Sequence, residues 1–195
     1  MNGQGEPRFP LRYLCGLLIV AAGLACASVG AAADRVTPSG FPVPRYVSLK
    51  FQTVNARGGP GDDHRLLWVY HARGLPVQVV AENSEWRRVC DPEGGLAWVH
   101  KRTTDSPRTV ISLQAEPLTL RKSPKANAPA AAYLRPRAIA ELVRCDQKGW
   151  CKFRVGGVSG WGQASEVWGL DERPQCSAAP APVAQSTAVI AKAQR

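Results

Sequence analysis

The feature that most constrains the fold of this chain is a repeat with a period of about 64 residues in its middle part. Four landmark residues occur twice in the same order. The pairs are Arg57 and Arg121, Pro60 and Pro124, and Trp86 and Trp150, each 64 residues apart, and Trp98 and Trp161, which are 63 apart. We therefore predict two tandem domains, over residues 45–105 and 106–170.

Within these two segments, short runs of β-branched and aromatic residues alternate with turn residues, and no stretch keeps apolar residues at helical spacing. The runs at residues 75–80 and 139–144 fall in register under the same shift. Glycine pairs at 94–95 and 156–157 then supply the flexible residues of a tight hairpin in each repeat. The pattern predicts an all-β core.

The N-terminus has the composition of a secretory signal peptide. Arg8 and Arg12 precede an uncharged run over residues 13–33, whose apolar part is followed by small residues. Alanines stand at the two positions that signal peptidase requires to be small. We therefore predict cleavage after Ala33 and a protein that is periplasmic or secreted.

Two other interpretations of this segment stay open. About 20 uncharged residues can also span a bilayer, so the segment is alternatively an uncleaved membrane anchor. A lipoprotein attached at Cys26 is less favoured, because Gly23 stands where that signal carries a branched apolar residue. All three interpretations place the rest of the chain outside the cytoplasm.

The two repeats are flanked by segments of biased composition. Residues 34–44 are rich in Pro, Gly and Ser, which predicts a short linker. Residues 171–195 are assigned to a C-terminal tail, which from residue 177 consists mostly of Ala, Pro, Ser, Thr and Gln. Such a composition buries little apolar surface, so the tail is predicted to be disordered.

Export changes how the cysteines are interpreted, because oxidising compartments permit disulfides. Four cysteines lie outside the signal segment, and four allow three pairings. Cys145 and Cys151 flank a short loop and are predicted to pair across a hairpin, while Cys90 and Cys176 pair by elimination. A zinc site would need paired short spacings such as C-x₂-C, which the sequence lacks. We predict no metal and no cofactor.

The chain is strongly basic, with 25 Lys and Arg against 15 Asp and Glu, a net charge of +10. Loss of residues 1–33 removes two arginines and one glutamate and leaves +9. A basic exported protein can meet cell-wall carboxylates, acidic proteins or a membrane surface, and nucleic acid is not an expected partner there. The alternative is that the cations only solvate the surface. The sequence does not indicate an oligomeric state.

The segment Val54-Asn55-Ala56-Arg57-Gly58-Gly59-Pro60-Gly61 resembles the N-V-R-x-G-P-G motif that opens a bacterial SH3-like domain. That family then has a Gly before a strand pair, a Trp at the start of the next strand and a closing Trp-Val. Gly74, Trp86 and Trp98 with Val99 occupy those places. The second repeat keeps Arg and Pro but lacks the surrounding glycines.

The whole chain is similar to exported proteobacterial proteins with two such domains. The resemblance implies two tandem small SH3-like β-barrels after a signal peptide. It also implies structural roles for the landmark residues, which are Arg57, Pro60, Gly61, Trp86, Trp98, Trp150 and Trp161.

The remaining aromatic residues that lie near arginines are candidates for ligand binding. They are Trp68 and Tyr70 with Arg73 in the first repeat, and Tyr133 with Arg135 in the second. We expect them at the surface, lining a groove for an extended peptide or glycan. The alternative is that most aromatic residues form the barrel cores.

No catalytic motif stands out. The histidines His64, His71 and His100 fit no metalloprotease pattern, and Ser159 lies in a hairpin context that a nucleophile elbow does not have. We therefore predict a non-catalytic binding module of the cell envelope that recognises peptidoglycan or another envelope component. The alternative is a structural or adaptor protein that binds another envelope protein.

Overall fold

The computed structural model of this protein describes residues 37–176. The predicted signal peptide and residues 177–195 lie outside these residues. The described part is all-β, as predicted, with two seven-stranded antiparallel sheets and two single turns of 3₁₀ helix. It contains no helix of the length and apolarity that crossing a bilayer requires.

The first barrel follows the order of the first repeat. Its strands are β1 (Arg45–Leu49), β2 (Val54–Arg57), β3 (Leu66–Tyr70), β4 (Pro76–Glu82), β5 (Trp86–Cys90), β6 (Leu96–His100) and β7 (Thr104–Asp105). A 3₁₀ turn over Lys101–Thr103 connects the last two. The strands are hydrogen-bonded in the order β3-β2-β6-β5-β4-β1-β7.

The second barrel repeats this arrangement. Its strands are β8 (Thr109–Ser112), β9 (Leu118–Arg121), β10 (Ala130–Leu134), β11 (Ile139–Cys145), β12 (Trp150–Val155), β13 (Val158–Gln163) and β14 (Val167–Trp168), with a 3₁₀ turn over Ala164–Glu166. The order is β10-β9-β13-β12-β11-β8-β14, which is the order of the first sheet with seven added to each strand number. The sequence repeat is therefore a structural repeat.

Each barrel has a core of its own, built from every second residue of its strands. In β9, Leu118 and Leu120 are buried while Thr119 and Arg121 face outward. Leu120, Leu134 and Phe153 are fully buried in the second barrel, and valines dominate the first core. The alternation thus assigns one face of each strand to the core and turns the other outward.

The repeated arginine closes the same loop in both barrels. Nη1 of Arg57 donates to the main-chain oxygen of His64 at 2.9 Å. Nη1 of Arg121 donates to that of Ala128 at 2.8 Å, again seven residues downstream. Pro60 and Gly61 lie within the first of these loops. The guanidinium thus fixes a loop that has no strand partner of its own.

Both predicted disulfides are present. Cys145 and Cys151 lie directly opposite each other in the β11–β12 hairpin, where they are joined. Cys90, at the end of β5, is joined to Cys176, 86 residues later. The second bond ties the segment that follows the second barrel to the first barrel.

The beginning of the predicted tail is ordered rather than disordered. Residues 171–176 lie against β4, where the fully buried side chain of Gln78 bonds to three of their main-chain groups. Together with the bond to Cys176, these contacts supply the burial that composition alone did not reveal. Of the predicted tail, residues 177–195 lie outside the described residues.

The two barrels also contact each other directly. Oγ1 of Thr109, the first residue of β8, donates to the oxygen of Gly74 at 2.7 Å. Ile111 is part of the first barrel's core cluster, and the Trp168 ring packs edge-on against Tyr46 with centroids 5.0 Å apart. The start and end of the second barrel therefore pack on the first.

The described part of the predicted linker, residues 37–44, is held against the first barrel by Glu82. The main-chain N–H of Ser39 donates to Oε1 of Glu82 at 3.2 Å. Nη2 of Arg45 lies 2.5 Å from Oε2 of the same carboxylate, whose side chain is only 2% exposed. The carboxylate thus fixes the chain just before β1.

Candidate functional site

Two of the predicted surface aromatics belong to the first core. Tyr70 lies opposite Val54 in the β2–β3 pair and Trp68 lies opposite Ala56, and both partners are buried. Tyr70 is itself buried, so the prediction that it lies at the surface is wrong. Its place is set by the two-residue period of the strand, which puts it on the same face as Val54. Trp68 is half-buried and packs against that core.

The hydroxyl of Tyr70 donates to Oδ2 of Asp91 at 3.0 Å. The other oxygen of Asp91 accepts the main-chain N–H groups of Glu93 and Gly95 at 3.0 and 2.7 Å. Burial raises the pKa of Tyr70 well above its usual value, and burial also raises the pKa of Asp91. This pair therefore organises the β5–β6 turn.

The three other candidates are exposed. Tyr133 is 65% exposed and lies opposite Thr119 on the outer face of the β9–β10 pair. Under the shift of 64 residues its counterpart is Val69, and the counterpart of Tyr70 is the buried Leu134. Arg73 and Arg135 lie in the exposed loops that follow β3 and β10. Of the five predicted ligand-binding residues, two therefore belong to the core region of the first barrel, and three lie at the surface, one on the first barrel and two on the second.

A cleft of about 390 Å³ opens on the second barrel, between the loop before β9, the start of β12 and the 3₁₀ turn after β13. It is lined by Gln114, Glu116, Pro117, Leu118, Thr119, Arg121, Ala126, Trp150, Gln163 and Glu166. Tyr133 is not among the lining residues, but it is the cross-strand neighbour of one of them, Thr119.

The wall of this cleft is built around Trp150. Oδ1 of Asp146 accepts the main-chain N–H of Trp150 at 3.0 Å and so fixes the turn from which β12 begins. Gln163 lies directly opposite Trp150 in β13. With its amide oxygen turned to the indole, Gln163 accepts from Nε1 of Trp150 and donates to the oxygen of Gly149, both at 3.2 Å. The half-buried indole is therefore held in one orientation.

The polar groups of the cleft carry charges of both signs. Oε2 of Glu166 accepts the main-chain N–H of Gln163 at 3.0 Å. Glu116 is exposed on the opposite side, and Arg121 uses Nη1 to bond the loop that it closes. The cleft can therefore offer a flat apolar surface, one guanidinium and two carboxylates to a ligand. Across residues 37–176, no group of three or more His, Cys, Asp or Glu is placed to hold a metal ion.

The first barrel differs at the equivalent place. His100, the counterpart of Gln163, packs its ring against Trp86 with centroids 5.2 Å apart and planes at 61°. Trp86 is only 9% exposed, and Nζ of Lys101 reaches Oε1 of Glu85 beside it at 2.8 Å. In the first barrel an imidazole thus covers the indole of Trp86, whereas in the second barrel the indole of Trp150 lines the cleft.

The sequence predicts a structural role for Trp150 and gives no indication of Gln163, Glu116 or Glu166 as site residues. One signal was available, namely the change from His100 to Gln163 at equivalent positions of the two repeats. Glu116 and Glu166 gave no comparable signal. They lie in connections between strands, and the sequence repeat does not predict the conformation of these connections.

A comparison with protein-family models finds the family described as bacterial SH3 domain at residues 50–106 and again at 114–169. The chain belongs to the bacterial SH3 domain family. The two matches cover more than half of the 195 residues, and each falls on one barrel. The cleft therefore lies on the second bacterial SH3 domain.

Among solved structures, this bacterial SH3 protein is similar to NlpC2 and NlpC1 from Trichomonas vaginalis. The identities are 11% and 12% and the TM-scores are 0.30 and 0.29. The alignments cover 65% and 67% of this chain, which spans about half of the two solved chains, 48% and 47%. No curated protein matches the chain.

Proposed function

We propose that this protein is a non-catalytic binding module of the bacterial cell envelope, and that it holds peptidoglycan or another envelope component in the cleft beside Trp150. The observation that carries the proposal is the juxtaposition of a fixed indole with Arg121 and the carboxylates of Glu116 and Glu166. Membership of the bacterial SH3 domain family supports an association with the cell wall.

The chemistry of the cleft fits a short peptide with charges of both signs. The stem peptides of peptidoglycan carry free carboxylates, which Arg121 can pair with, and amino groups, which Glu116 and Glu166 can pair with. Their aliphatic parts can pack on the indole of Trp150. A few polar groups around an apolar wall are typical of ligand sites in general.

The residues that line the cleft support binding rather than catalysis. The potentially nucleophilic groups among them are the hydroxyl of Thr119 and the carboxylates of Glu116 and Glu166, and no serine, cysteine, histidine or lysine lines the cleft. Incubation of the purified chain with muropeptides and analysis of the products by mass spectrometry tests this part. Turnover that a single substitution abolishes would contradict it.

We further propose that the protein works outside the cytoplasm, periplasmic or secreted, after cleavage behind Ala33. Two disulfides among the described cysteines support an oxidising compartment. The intact mass of the protein from the envelope fraction of its host tests this. A chain that begins at Asp34 with all four cysteines oxidised is the expected result, and a full-length chain with free thiols would contradict export with cleavage.

The cleft is tested by co-sedimentation with purified cell wall. Thr119→Trp places a large side chain at the wall of the cleft, on an outward strand position that tolerates an aromatic residue. Asn55→Trp is the matched control, because Asn55 is the exposed counterpart of Thr119 in the first barrel. We expect Thr119→Trp to weaken binding at least tenfold and Asn55→Trp to leave it within about twofold.

Equal binding by both variants would contradict the assignment to the cleft. No sedimentation of the wild-type chain would contradict the peptidoglycan proposal and favour the adaptor function. Binding that disappears for all three proteins at moderate salt would indicate attraction by net charge alone.

A further inference from the structure

A row of three cations and one tryptophan crosses four neighbouring strands on the outer face of the second barrel. Arg144 of β11 lies opposite Lys152 of β12, which in turn lies opposite Trp161 of β13. Trp161 lies opposite Arg121 of β9. Directly opposite residues share a face of a sheet, so these four side chains stand in one line. Neighbouring strands are about 4.8 Å apart, so the Cα atoms of the row span about 14 Å.

The charges of this row are available to a ligand. The guanidinium carbon of Arg144 lies 5.3 Å from the centre of the Trp161 ring, so a cation–π contact holds the exposed arginine over the row. Within residues 37–176, neither Arg144 nor Lys152 nor Arg121 forms a salt bridge. The row therefore keeps a net charge of about three.

The first barrel has the same row with less charge. Arg88, Trp98 and Arg57 occupy it in register, and Ala81 takes the place of Arg144. Nη2 of Arg57 is compensated by Oδ1 of Asp62 at 3.2 Å. The arrangement of a tryptophan between two cations is thus duplicated, but its charge is concentrated in the second copy.

The distribution of charge along the chain agrees with this difference. Residues 106–170 contain ten Lys and Arg against four Asp and Glu, a net charge of +6. Residues 45–105 contain nine against seven, a net charge of +2. The basic character of the described protein is therefore mainly a property of the second barrel.

We propose that the row from Arg144 to Arg121 binds an extended anionic polysaccharide that lies across the strands. Its carboxylate, phosphate or sulfate groups pair with the cations in succession. A line of charges fits a linear polymer better than a lipid surface, which presents its charge in a plane. The proposal goes beyond the cleft, because Arg144 and Lys152 do not line it and only Arg121 is common to both.

The test measures binding of the full chain to immobilised heparin, a linear sulfated polysaccharide, as a function of salt. The Arg144→Gln/Lys152→Gln variant removes two charges of the row. The Arg65→Gln/Arg102→Gln variant removes two exposed charges of the first barrel that lie outside its own row and is the matched control. We expect at least a tenfold loss of affinity for the first variant and less than threefold for the second.

The salt dependence gives an independent readout. The slope of log affinity against log salt concentration should fall in magnitude by more than one for the row variant and less for the control. The charge-preserving Arg144→Lys/Lys152→Arg variant should keep at least a third of the affinity, which separates loss of charge from loss of folding. Thr119→Trp should bind heparin like wild type, so failure of the cleft and failure of the row are distinguishable.

Equal losses for the two glutamine variants would overturn the proposal, because binding would then depend on net charge alone. A loss of affinity in the charge-preserving variant as large as that of the row variant would also overturn it. Binding of the same variants to vesicles of phosphatidylglycerol and phosphatidylcholine is the third measurement. A row-dependent affinity for these vesicles above that for heparin would assign the row to a membrane surface instead.

Discussion

The side-chain oxygen of Gln78, in the middle of β4, accepts the main-chain N–H of Gln175 at 2.8 Å, 97 residues further along the chain. The amide nitrogen of Gln78 donates to the oxygens of Asp171 and Arg173 at 3.3 and 2.8 Å. One fully buried amide thus satisfies three main-chain groups of a segment that has no strand of its own. This segment carries Cys176, and therefore the link from the second barrel back to the first.

Replacement of this amide should be costly. Gln78→Leu keeps the volume but leaves three polar main-chain groups without their partner, and we expect a loss of about 2–3 kcal/mol in the free energy of unfolding. Urea unfolding followed by tryptophan fluorescence measures it. Gln52→Leu is the control, because Gln52 is exposed and makes one bond, to the oxygen of His71, and should cost less than about 0.5 kcal/mol. Similar losses for both variants would contradict the role of Gln78.

The two disulfides should stabilise the protein by different amounts. They close loops of 86 and 6 residues, and the loss of chain entropy in the unfolded state is larger for the longer loop. We expect about 4.5 kcal/mol to be lost in Cys90→Ala/Cys176→Ala and about 2 kcal/mol in Cys145→Ala/Cys151→Ala. Urea unfolding of the two double variants tests the order. A larger loss for the hairpin disulfide would contradict the account.

Glu82 should make the stability depend on pH in the acidic range. Burial tends to raise the pKa of Glu82, but hydrogen bonds from Arg45 and Ser39 lower it more, to about 2. The unfolded chain takes up this proton near pH 4.5 and the folded chain only near pH 2. The stabilisation is therefore complete above pH 4.5 and is lost as the pH falls to 2.

Glu82→Gln should lower the free energy of unfolding by about 2 kcal/mol at pH 7 and should flatten its dependence on pH between 4.5 and 2. Thermal unfolding at a series of pH values measures both effects. Glu172→Gln removes an exposed carboxylate and serves as the control. A pH profile of Glu82→Gln parallel to that of the wild type would show that another group is responsible.

At two equivalent core positions, the side chains of the two barrels differ in size in opposite directions. The first barrel has the buried residues Ala56 and Ala97 where the second has Leu120 and Gly160. A Cβ on Gly160 would lie 2.6 Å from Cβ of Leu120, which is too close for two carbon atoms. The glycine of the second barrel is therefore required by the leucine beside it.

Gly160→Ala should destabilise the second barrel by about 1–3 kcal/mol through overpacking. Leu120→Ala alone should cost about 2–5 kcal/mol through the cavity that it leaves. In the double variant, which reproduces the alanine pair of the first barrel, the two effects should offset each other by at least about 1 kcal/mol. Strictly additive losses in a double-mutant cycle of urea unfolding would contradict this coupling.

The sequence was informative wherever a constraint is local or repeated. Cys145 and Cys151 face each other because a sequence separation of six suffices for a hairpin. The spacing of the landmark tryptophans reflects the matched strand order of the two sheets. The sequence places Tyr70 on the wrong face because the face of a strand depends on its register, and in the β2–β3 pair that register puts Tyr70 opposite the buried Val54.

Contacts over long distances could not be predicted in this way. The order of residues 171–176 depends on Gln78, which lies more than 90 residues away, and a glutamine in a strand carries no sign of that partner. The cleft requires that Glu116 and Glu166, which lie 50 residues apart, approach the same indole. Their proximity follows from the closure of the barrel and not from any pattern in the chain.

The most direct test of the proposed function follows the side-chain N–H signals of the six tryptophans by nuclear magnetic resonance during titration with a soluble muropeptide. Because Trp150 forms the wall of the cleft and Trp86 is covered by His100, the account predicts a saturable shift of the Trp150 signal while that of Trp86 stays unchanged. A shift of Trp86 with Trp150 unchanged, or no shift at any muropeptide concentration, would contradict it.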